Sequence, residues 1–362
     1  MRIAIILGTR PEIIKMSPVI KCCKKKNIEY FVLHTGQHFN FEMDGLFFKE
    51  LGLDPPEYNL SAGETEHLRQ IGVMIRGIQT VLMKEKQDVV FVQGDTSSVL
   101  AGALAAQKLG IPLAHHEAGL RCHDPRILEE TNRIITDHIS DYLFVPTQTA
   151  LQNLKKEGIN KCMYLTGNTV VDVVYEHFQK VEARMDILER FELSKKKYFL
   201  LTCHRAENVD SRRRLSGILK GIEKVSQKYK EYEIIFPIHP RTKKVIKELL
   251  LHIPDRIRVI EPVGFHAFLR LEKEARIILT DSGGVQEEAC ILKTPCVTIR
   301  DTTERPETLI DGINILAGID PDRILDAVDR NMDKQNVNWI NPFGDGKAAE
   351  RMISIVIRNF CS

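Results

Sequence analysis

The stretch Arg276-Ile277-Ile278-Leu279-Thr280-Asp281-Ser282-Gly283-Gly284-Val285-Gln286-Glu287-Glu288-Ala289-Cys290-Ile291-Leu292 reads as a buried strand, a turn and a helix in direct succession. The apolar run up to Thr280 has the length of a strand. A Ser-Gly-Gly turn would then open a helix N-terminus with bare backbone amides. Unpaired N–H groups backed by the helix dipole attract an anion. Glu287 and Glu288 fall one turn into the helix, where a carboxylate could reach a ribose. The first expected ligand is therefore a nucleotide diphosphate. Ser-Gly-Gly alone is better explained by a plain strand–turn–helix corner that needs glycine for its backbone.

Outward from this unit, apolar runs of strand length alternate with helical patterns along the whole chain. Strands are expected over 3–7, 28–34, 89–92, 113–116, 142–145 and 162–165 in the first half. In the second half they are expected over 198–202, 233–237, 257–260, 277–280 and 296–299. Most intervening segments are long enough for crossover helices, which predicts parallel sheets covered on both faces. Two doubly wound, Rossmann-like sheets fit this count better than one. The expected division is an N-terminal domain over 1–168 and a C-terminal domain over 169–345, with a last helix over 346–362 returning to the first. The seam falls near Gly167-Asn168 or in the charged stretch 176–197. The run Lys195-Lys196-Lys197 in that stretch reads as a solvated face rather than a binding patch.

Composition narrows the function classes. The 362 residues are 43% hydrophobic and 28% charged, as in ordinary globular proteins. A net charge of +2, from 51 basic and 49 acidic residues, argues against nucleic acid or a membrane surface as the main partner. The eight cysteines lack paired short spacings, so reduced thiols are expected. The apolar start, Met1 to Gly8, is too short for a signal peptide or a span, and no run of about 18 apolar residues follows. A cytoplasmic protein is expected.

Ligands of doubly wound sheets sit beyond the carboxyl ends of strands. Six polar clusters take that position: Gly8-Thr9-Arg10-Pro11-Glu12, Gln93-Gly94-Asp95-Thr96, Glu117-Ala118-Gly119-Leu120-Arg121, Cys203-His204-Arg205-Ala206-Glu207-Asn208, Asp281-Ser282-Gly283-Gly284 and Arg300-Asp301-Thr302-Thr303-Glu304-Arg305-Pro306. Six such clusters predict a cleft between two facing domains. His115-His116-Glu117 and Cys203-His204 hold metal-ligand types, but adjacent strand residues point to opposite faces. Neither a His-Glu-x-x-His helix nor a Cys-x-x-Cys pair occurs, so no metal is expected. Neither a P-loop nor a Gly-x-Gly-x-x-Gly fingerprint occurs, so no nicotinamide cofactor is expected either.

Arg10 and Lys15 would project cations toward a pyrophosphate. Pro11 and Glu12 are explained by the chemistry of a helix start, whereas a cation at Arg10 is unfavourable there. Asp95, Glu117 and Glu129 are the candidates for acid–base work. Each has a plainer alternative. Asp95 could cap the helix beginning near Ser97. Glu129 and Glu130 could simply begin a charged helix, with Arg133 pairing Glu129 from four residues on. His204 could be an ordinary turn histidine, although beside Arg205 it would also suit a developing phosphate charge.

Gly8-Thr9-Arg10-Pro11-Glu12-Ile13-Ile14-Lys15-Met16, Gln93-Gly94-Asp95-Thr96, Glu117-Ala118-Gly119-Leu120-Arg121 and Glu129-Glu130-Thr131-Asn132-Arg133 together resemble the non-hydrolysing UDP-N-acetylglucosamine 2-epimerases. So do Cys203-His204-Arg205-Ala206-Glu207-Asn208, the segments 281–288 and 300–307, and Asn341-Pro342-Phe343-Gly344-Asp345-Gly346. The match runs in order through almost the whole chain.

The resemblance implies a fold of the glycosyltransferase B type and interconversion of UDP-N-acetylglucosamine and UDP-N-acetylmannosamine. The product would supply surface glycan synthesis, and the family implies a homodimer. It also implies a route: a base removes the C2 proton as UDP leaves C1, giving 2-acetamidoglucal. UDP then adds back with protonation on the other face. Asp95, Glu117 and Glu129 become the acid–base group, with the assignment of faces open. His204 joins them as a catalytic residue, and with Arg10 and Lys15 it would steady the diphosphate and the reacting sugar. A single well-placed donor at such a charge is worth roughly 3–4 kcal/mol of barrier. Ser282, Gly283 and Gly284 supply the phosphate turn, Glu288 binds the ribose hydroxyls, Arg305 approaches from a facing loop and Phe268 lies near the uracil. Phe268 is equally well explained as a core helix residue.

The Thr35-Gly36-Gln37-His38 piece of an allosteric site found in some bacterial relatives is present. The arginine expected near Ser61-Ala62-Gly63-Glu64 is not apparent. A glycosyltransferase of the same architecture, a hydrolysing epimerase and a non-catalytic sensor are the alternatives.

Overall fold

The computed structural model describes residues 1–37, 41–63, 66–182, 186–310, 312–332 and 339–360. His38 of the allosteric-type piece and Glu64 of the loop after Ser61 lie outside the described residues. The chain divides into two compact units, Met1–Glu176 with Phe343–Ser362, and His177–Pro342.

The first unit is built on a parallel sheet of β1 (Arg2–Leu7), β2 (Glu29–His34), β3 (Tyr58–Asn59), β4 (Val89–Gln93), β5 (Leu113–His116), β6 (Tyr142–Val145) and β7 (Met163–Leu165). Their spatial order is β3-β2-β1-β4-β5-β6-β7. The second unit holds a parallel sheet of β8 (Tyr198–Thr202), β9 (Glu233–Pro237), β10 (Ile257–Ile260), β11 (Ile277–Thr280), β12 (Cys296–Thr298) and β13 (Asn314–Leu316), ordered β10-β9-β8-β11-β12-β13. Both are doubly wound, as expected. The strand β8 shows why its apolar run is continuous. Phe199 and Leu201 enter one core layer, and Tyr198 and Leu200 enter the layer on the opposite face. A strand buried on both faces has no polar face to alternate with.

Two strands are absent from the sequence expectation. β3 has only two residues and β13 has three, and each closes one edge of its sheet. Asn59 and Asn314 interrupt the apolar character that marks the inner strands. Asn314 is nevertheless fully paired inside the unit, donating to Gln286 and Thr308 and accepting from Thr298.

The division into units falls at Glu176/His177, inside the helix Thr169–Glu182 and after the expected boundary at 168. The first turns of that helix are held by the C-terminal segment. The Asp172 carboxylate accepts from the amides of Ala348 and Ala349 at 3.2 and 3.0 Å. It thereby satisfies the start of the final helix, Ala348–Phe360. Met352, Ile353 and Val356 of that helix are buried. No described helix is long and apolar enough to cross a membrane.

In each sheet the winding reverses between two adjacent strands, β1 and β4 in the first and β8 and β11 in the second. Crossovers diverge there and leave a crevice at the carboxyl ends, where α/β sheets take ligands. Gly8-Thr9-Arg10 and Gly94-Asp95-Thr96 leave the first pair. Cys203-His204-Arg205 and Asp281-Ser282-Gly283 leave the second.

Candidate functional site

In the first unit Glu117 is the centre of a buried polar cluster. It follows β5 directly, with a left-handed backbone (φ 70°) and 4% exposure. Such a backbone is costly for a residue with a β-carbon and persists only where the surroundings enforce it. The Lys15 ammonium pairs with Glu117 Oε1, and Asn168 Nδ2 donates to the same oxygen at 2.6 Å. Gln93 Nε2 donates to Oε2 at 2.6 Å. Lys15, expected to reach a pyrophosphate, is thus turned onto the carboxylate.

Asp95 is held separately. Arg133 donates to its Oδ2 from Nε at 3.0 Å and from Nη2 at 2.6 Å. Asn132 Nδ2 donates to the Asp95 carbonyl at 2.9 Å. The helix Ser97–Lys108 is capped by Thr96, whose hydroxyl accepts from the Val99 amide, so Asp95 is not the cap. Arg133, which the spacing offered to Glu129, uses Nη1 for Glu130. Glu130 also accepts from the amides of Cys122 and His123, which marks it as a loop anchor. Glu129 is half-buried in the first turn of the helix Leu128–His138. Residues three and four apart share a helix face, so Glu129 shares the face of Asn132 and Arg133, both of which bind Asp95.

The neighbouring histidines serve different faces. His115 Nδ1 meets Asp137 at 2.7 Å, and its Nε2 meets the Gly94 carbonyl at 2.8 Å, bracing the turn that carries Asp95. His116 contacts the Thr169 hydroxyl at 2.9 Å. Burial pushes His116 down to about 4, so it stays neutral beside the Lys15–Glu117 pair. Among the described residues no group of three or more His, Cys, Asp or Glu is placed to hold a metal ion.

Glu12 ties the first loop to the second. Its Oε2 accepts from the Gly8 and Thr9 amides at 2.6 and 2.7 Å, and its Oε1 from the Thr96 hydroxyl at 2.5 Å. Burial nevertheless raises its carboxyl from 4.5 to about 7, against the lowering by Thr96 and by those amides. A raised carboxyl stabilises the fold fully below its unfolded value and loses that contribution as pH climbs through the folded value. The stability of wild type relative to Glu12→Gln should therefore fall between pH 4.5 and about 7. At about 1.4 kcal/mol per unit, the change is on the order of 3 kcal/mol. Glutamine can accept from both amides and donate to Thr96, so the variant should fold. Denaturant unfolding across that range measures the effect, and parallel pH profiles would refute it.

In the second unit the helix Gly283–Leu292 begins at the expected turn. Ser282 is its N-cap and its hydroxyl accepts from the Val285 amide at 3.4 Å. Arg305 is 4% exposed and donates from Nε to Glu287 at 2.6 Å. Of the two expected ribose carboxylates, Glu287 is thus committed to Arg305, while Glu288 keeps 8% exposure. Gly283 lies against Glu304, and a β-carbon there would come within 2.4 Å of Glu304 Oε1. Glu304 is held by Arg205 at 3.2 Å and by Arg300 at 2.8 Å.

The buried Asp281 organises the loop after β8, accepting from the amides of His204 and Arg205 and from Asn208 Nδ2. The half-exposed His204 ring sits 3.4 Å from Asp281 Oδ1 through Nδ1. Phe268 is partly buried against the layer containing Tyr198, Leu271 and Ala289, so packing accounts for much of its ring.

The structure thus brings Lys15 to Glu117, sets Asp95 and Glu129 around one helix start, and joins Arg305 to the Gly283 turn through Glu304 and Glu287. Arg10 lies over the Phe47 ring at 5.7 Å. Gln93, Asn168, Asp281, Arg300 and Glu304 do structural work at these sites that the candidate set omitted. Gln93, Asp281, Arg300 and Glu304 stand inside quoted motifs, so their positions were signalled although their partners were not, whereas Asn168 was read only as a place for the domain seam.

A family model described as UDP-N-acetylglucosamine 2-epimerase matches residues 21–357. The UDP-N-acetylglucosamine 2-epimerase of Methanocaldococcus jannaschii is 52% identical over 364 residues, covering 98% of this chain and 99% of that one. That of Methanococcus maripaludis is 52% identical over 362 residues, covering 98% of both. The crystal structure of the M. jannaschii enzyme in complex with UDP-GlcNAc and UDP aligns with a TM-score of 0.95 at 51% identity, covering 99% of this chain and 100% of that one.

Proposed function

The chain belongs to the UDP-N-acetylglucosamine 2-epimerase family, and on that footing we propose that it interconverts UDP-N-acetylglucosamine and UDP-N-acetylmannosamine without hydrolysing them. The C2 hydrogen has no adjacent carbonyl to acidify it, so the proposed route is loss of UDP to 2-acetamidoglucal and re-addition. The observation that carries this reading is the pair of separately held carboxylates at adjacent strand ends. Glu117 is fixed by Lys15 and Asp95 by Arg133. Inverting a carbon through a planar intermediate requires proton transfer on two faces, hence two distinct acid–base groups.

Asp95, Glu117 and Glu129 form the acid–base group, with Lys15 holding Glu117 in position. Ser282, Gly283 and Gly284 cradle the diphosphate at a helix N-terminus. Arg10, His204 and Arg305 offset the charge that builds on departing UDP. Glu288 takes the ribose hydroxyls and the face of Phe268 takes uracil. Similarity to relatives named as epimerases and to a complex of one with UDP-GlcNAc and UDP supports the reaction and the nucleotide-sugar ligand. A homodimer, a cytoplasmic location and supply of sugar for surface glycans belong to the same proposal.

The test is incubation of UDP-N-acetylglucosamine with the protein in heavy water, without any acceptor. Deuterium at C2 of both epimers is expected. A UDP-sugar bound without exchange would favour a glycosyltransferase. Free N-acetylmannosamine formed in step with UDP would place the chain with hydrolysing enzymes.

A further inference from the structure

Two acidic side chains of the second unit, Glu272 and Glu288, meet between neighbouring helices. Glu272 lies on the helix Phe265–Glu274 and is 0% exposed. Glu288 lies on the helix Gly283–Leu292, two turns from the Ser282 cap, and is 8% exposed. The Glu288 carboxyl is within hydrogen-bonding reach of Glu272. No protein donor among the described residues reaches either oxygen of Glu272. Ionised carboxylates only accept, so this contact is a hydrogen bond only if one of the two carries a proton. Two bare charges there would face both desolvation and mutual repulsion.

We propose that Glu272 is a positioning residue for the ribose site, a neutral carboxylic acid that donates to Glu288 and holds the Glu288 carboxylate toward the ribose hydroxyls. The proton sits on Glu272 because it is the more deeply buried, while Glu288 keeps contact with solvent. Burial, and then the neighbouring Glu288 charge, push the Glu272 carboxyl well above its ordinary value.

The other titratable groups around Glu272 fit this state. Cys296 from β12 and Tyr198 from β8 are both pushed up by burial and stay neutral. The Tyr198 hydroxyl donates to the Leu271 carbonyl at 2.7 Å. On the helix of Glu272 itself, Arg270 pairs with Glu274 at 3.3 Å. The inference rests on Glu288 being the ribose ligand.

Calorimetric binding of UDP and of inorganic pyrophosphate, which has no ribose, tests it. Glu272→Ala should weaken UDP at least about tenfold and leave pyrophosphate unchanged, since the lost bond is to a charged group. Glu272→Gln keeps a donor without a titrating proton and should restore UDP affinity. Wild-type UDP affinity should fall as rising pH removes the shared proton, whereas Glu272→Gln should lack that fall. Unchanged UDP binding in Glu272→Ala would overturn the proposal alone. So would an equal loss of pyrophosphate binding, or a wild-type pH profile in Glu272→Gln. Failure of the wild-type protein to bind UDP would overturn the nucleotide reading and this proposal with it.

Discussion

Glu117→Gln is expected to lower kcat by roughly 10²–10⁴ while UDP still binds nearly as in wild type. The structure makes this substitution a test of chemistry rather than of folding. Lys15 and Asn168 both donate to Oε1, so the glutamine carbonyl can take that position. The new amide would then face Gln93 Nε2, which is itself a donor. Gln93 Oε1 has no partner among the described residues, so a flip of its amide restores a hydrogen bond at little cost. What the variant cannot do is take up or return a proton. Asp95→Asn is expected to act in the same direction, but it also forfeits charge on Arg133, which bonds Asp95 through two nitrogens. Steady-state kinetics with UDP calorimetry separates the outcomes. A kcat unchanged in Glu117→Gln would remove Glu117 from the acid–base group.

The contrast between Glu117 and its partners shows what the sequence makes legible. Strand ends could be placed because β1, β4, β8 and β11 are mainly apolar, buried runs, and β5 opens on the apolar pair Leu113-Ala114. Polar residues immediately beyond them were then candidates by position alone. The same logic overlooked β3 and β13, whose short edge strands carry asparagine and need little apolar length. Side-chain partnerships were not legible. Glu117 is held by Lys15, Gln93 and Asn168, which lie 102, 24 and 51 positions away, and no local period links them. Asn168, read only as a place for the domain seam, anchors that carboxylate. Asp95 and Glu287 show the converse. Spacing offered a helix cap to one and a ribose to the other, yet Thr96 took the cap and Arg305 took Glu287.

Gly283→Val is expected to convert part of the turnover into release of UDP and 2-acetamidoglucal, with an overall loss of about 10²–10³ in kcat, the scale of one lost donor at a developing charge. Gly283 is the first residue of its helix, and a β-carbon there would approach Glu304 Oε1 to 2.4 Å. Glu304 is 1% exposed and cannot swing aside without breaking its bonds to Arg300 and Arg205. Either the loop bearing Arg305 or the first turn of the helix must therefore yield, and both are proposed to hold UDP. At Gly284 an added β-carbon meets nothing closer than Ser282 Oγ at 3.9 Å, so Gly284→Ala should disturb the turn far less. Elimination followed by re-addition makes a specific demand on this turn, because it must keep UDP after the C1 bond breaks. A turn that only recruits substrate would give a different signature in Gly283→Val: a higher KM with no glycal. Chromatographic quantification of glycal and UDP per epimerised product decides between the two, and a raised KM alone would sink the retention role.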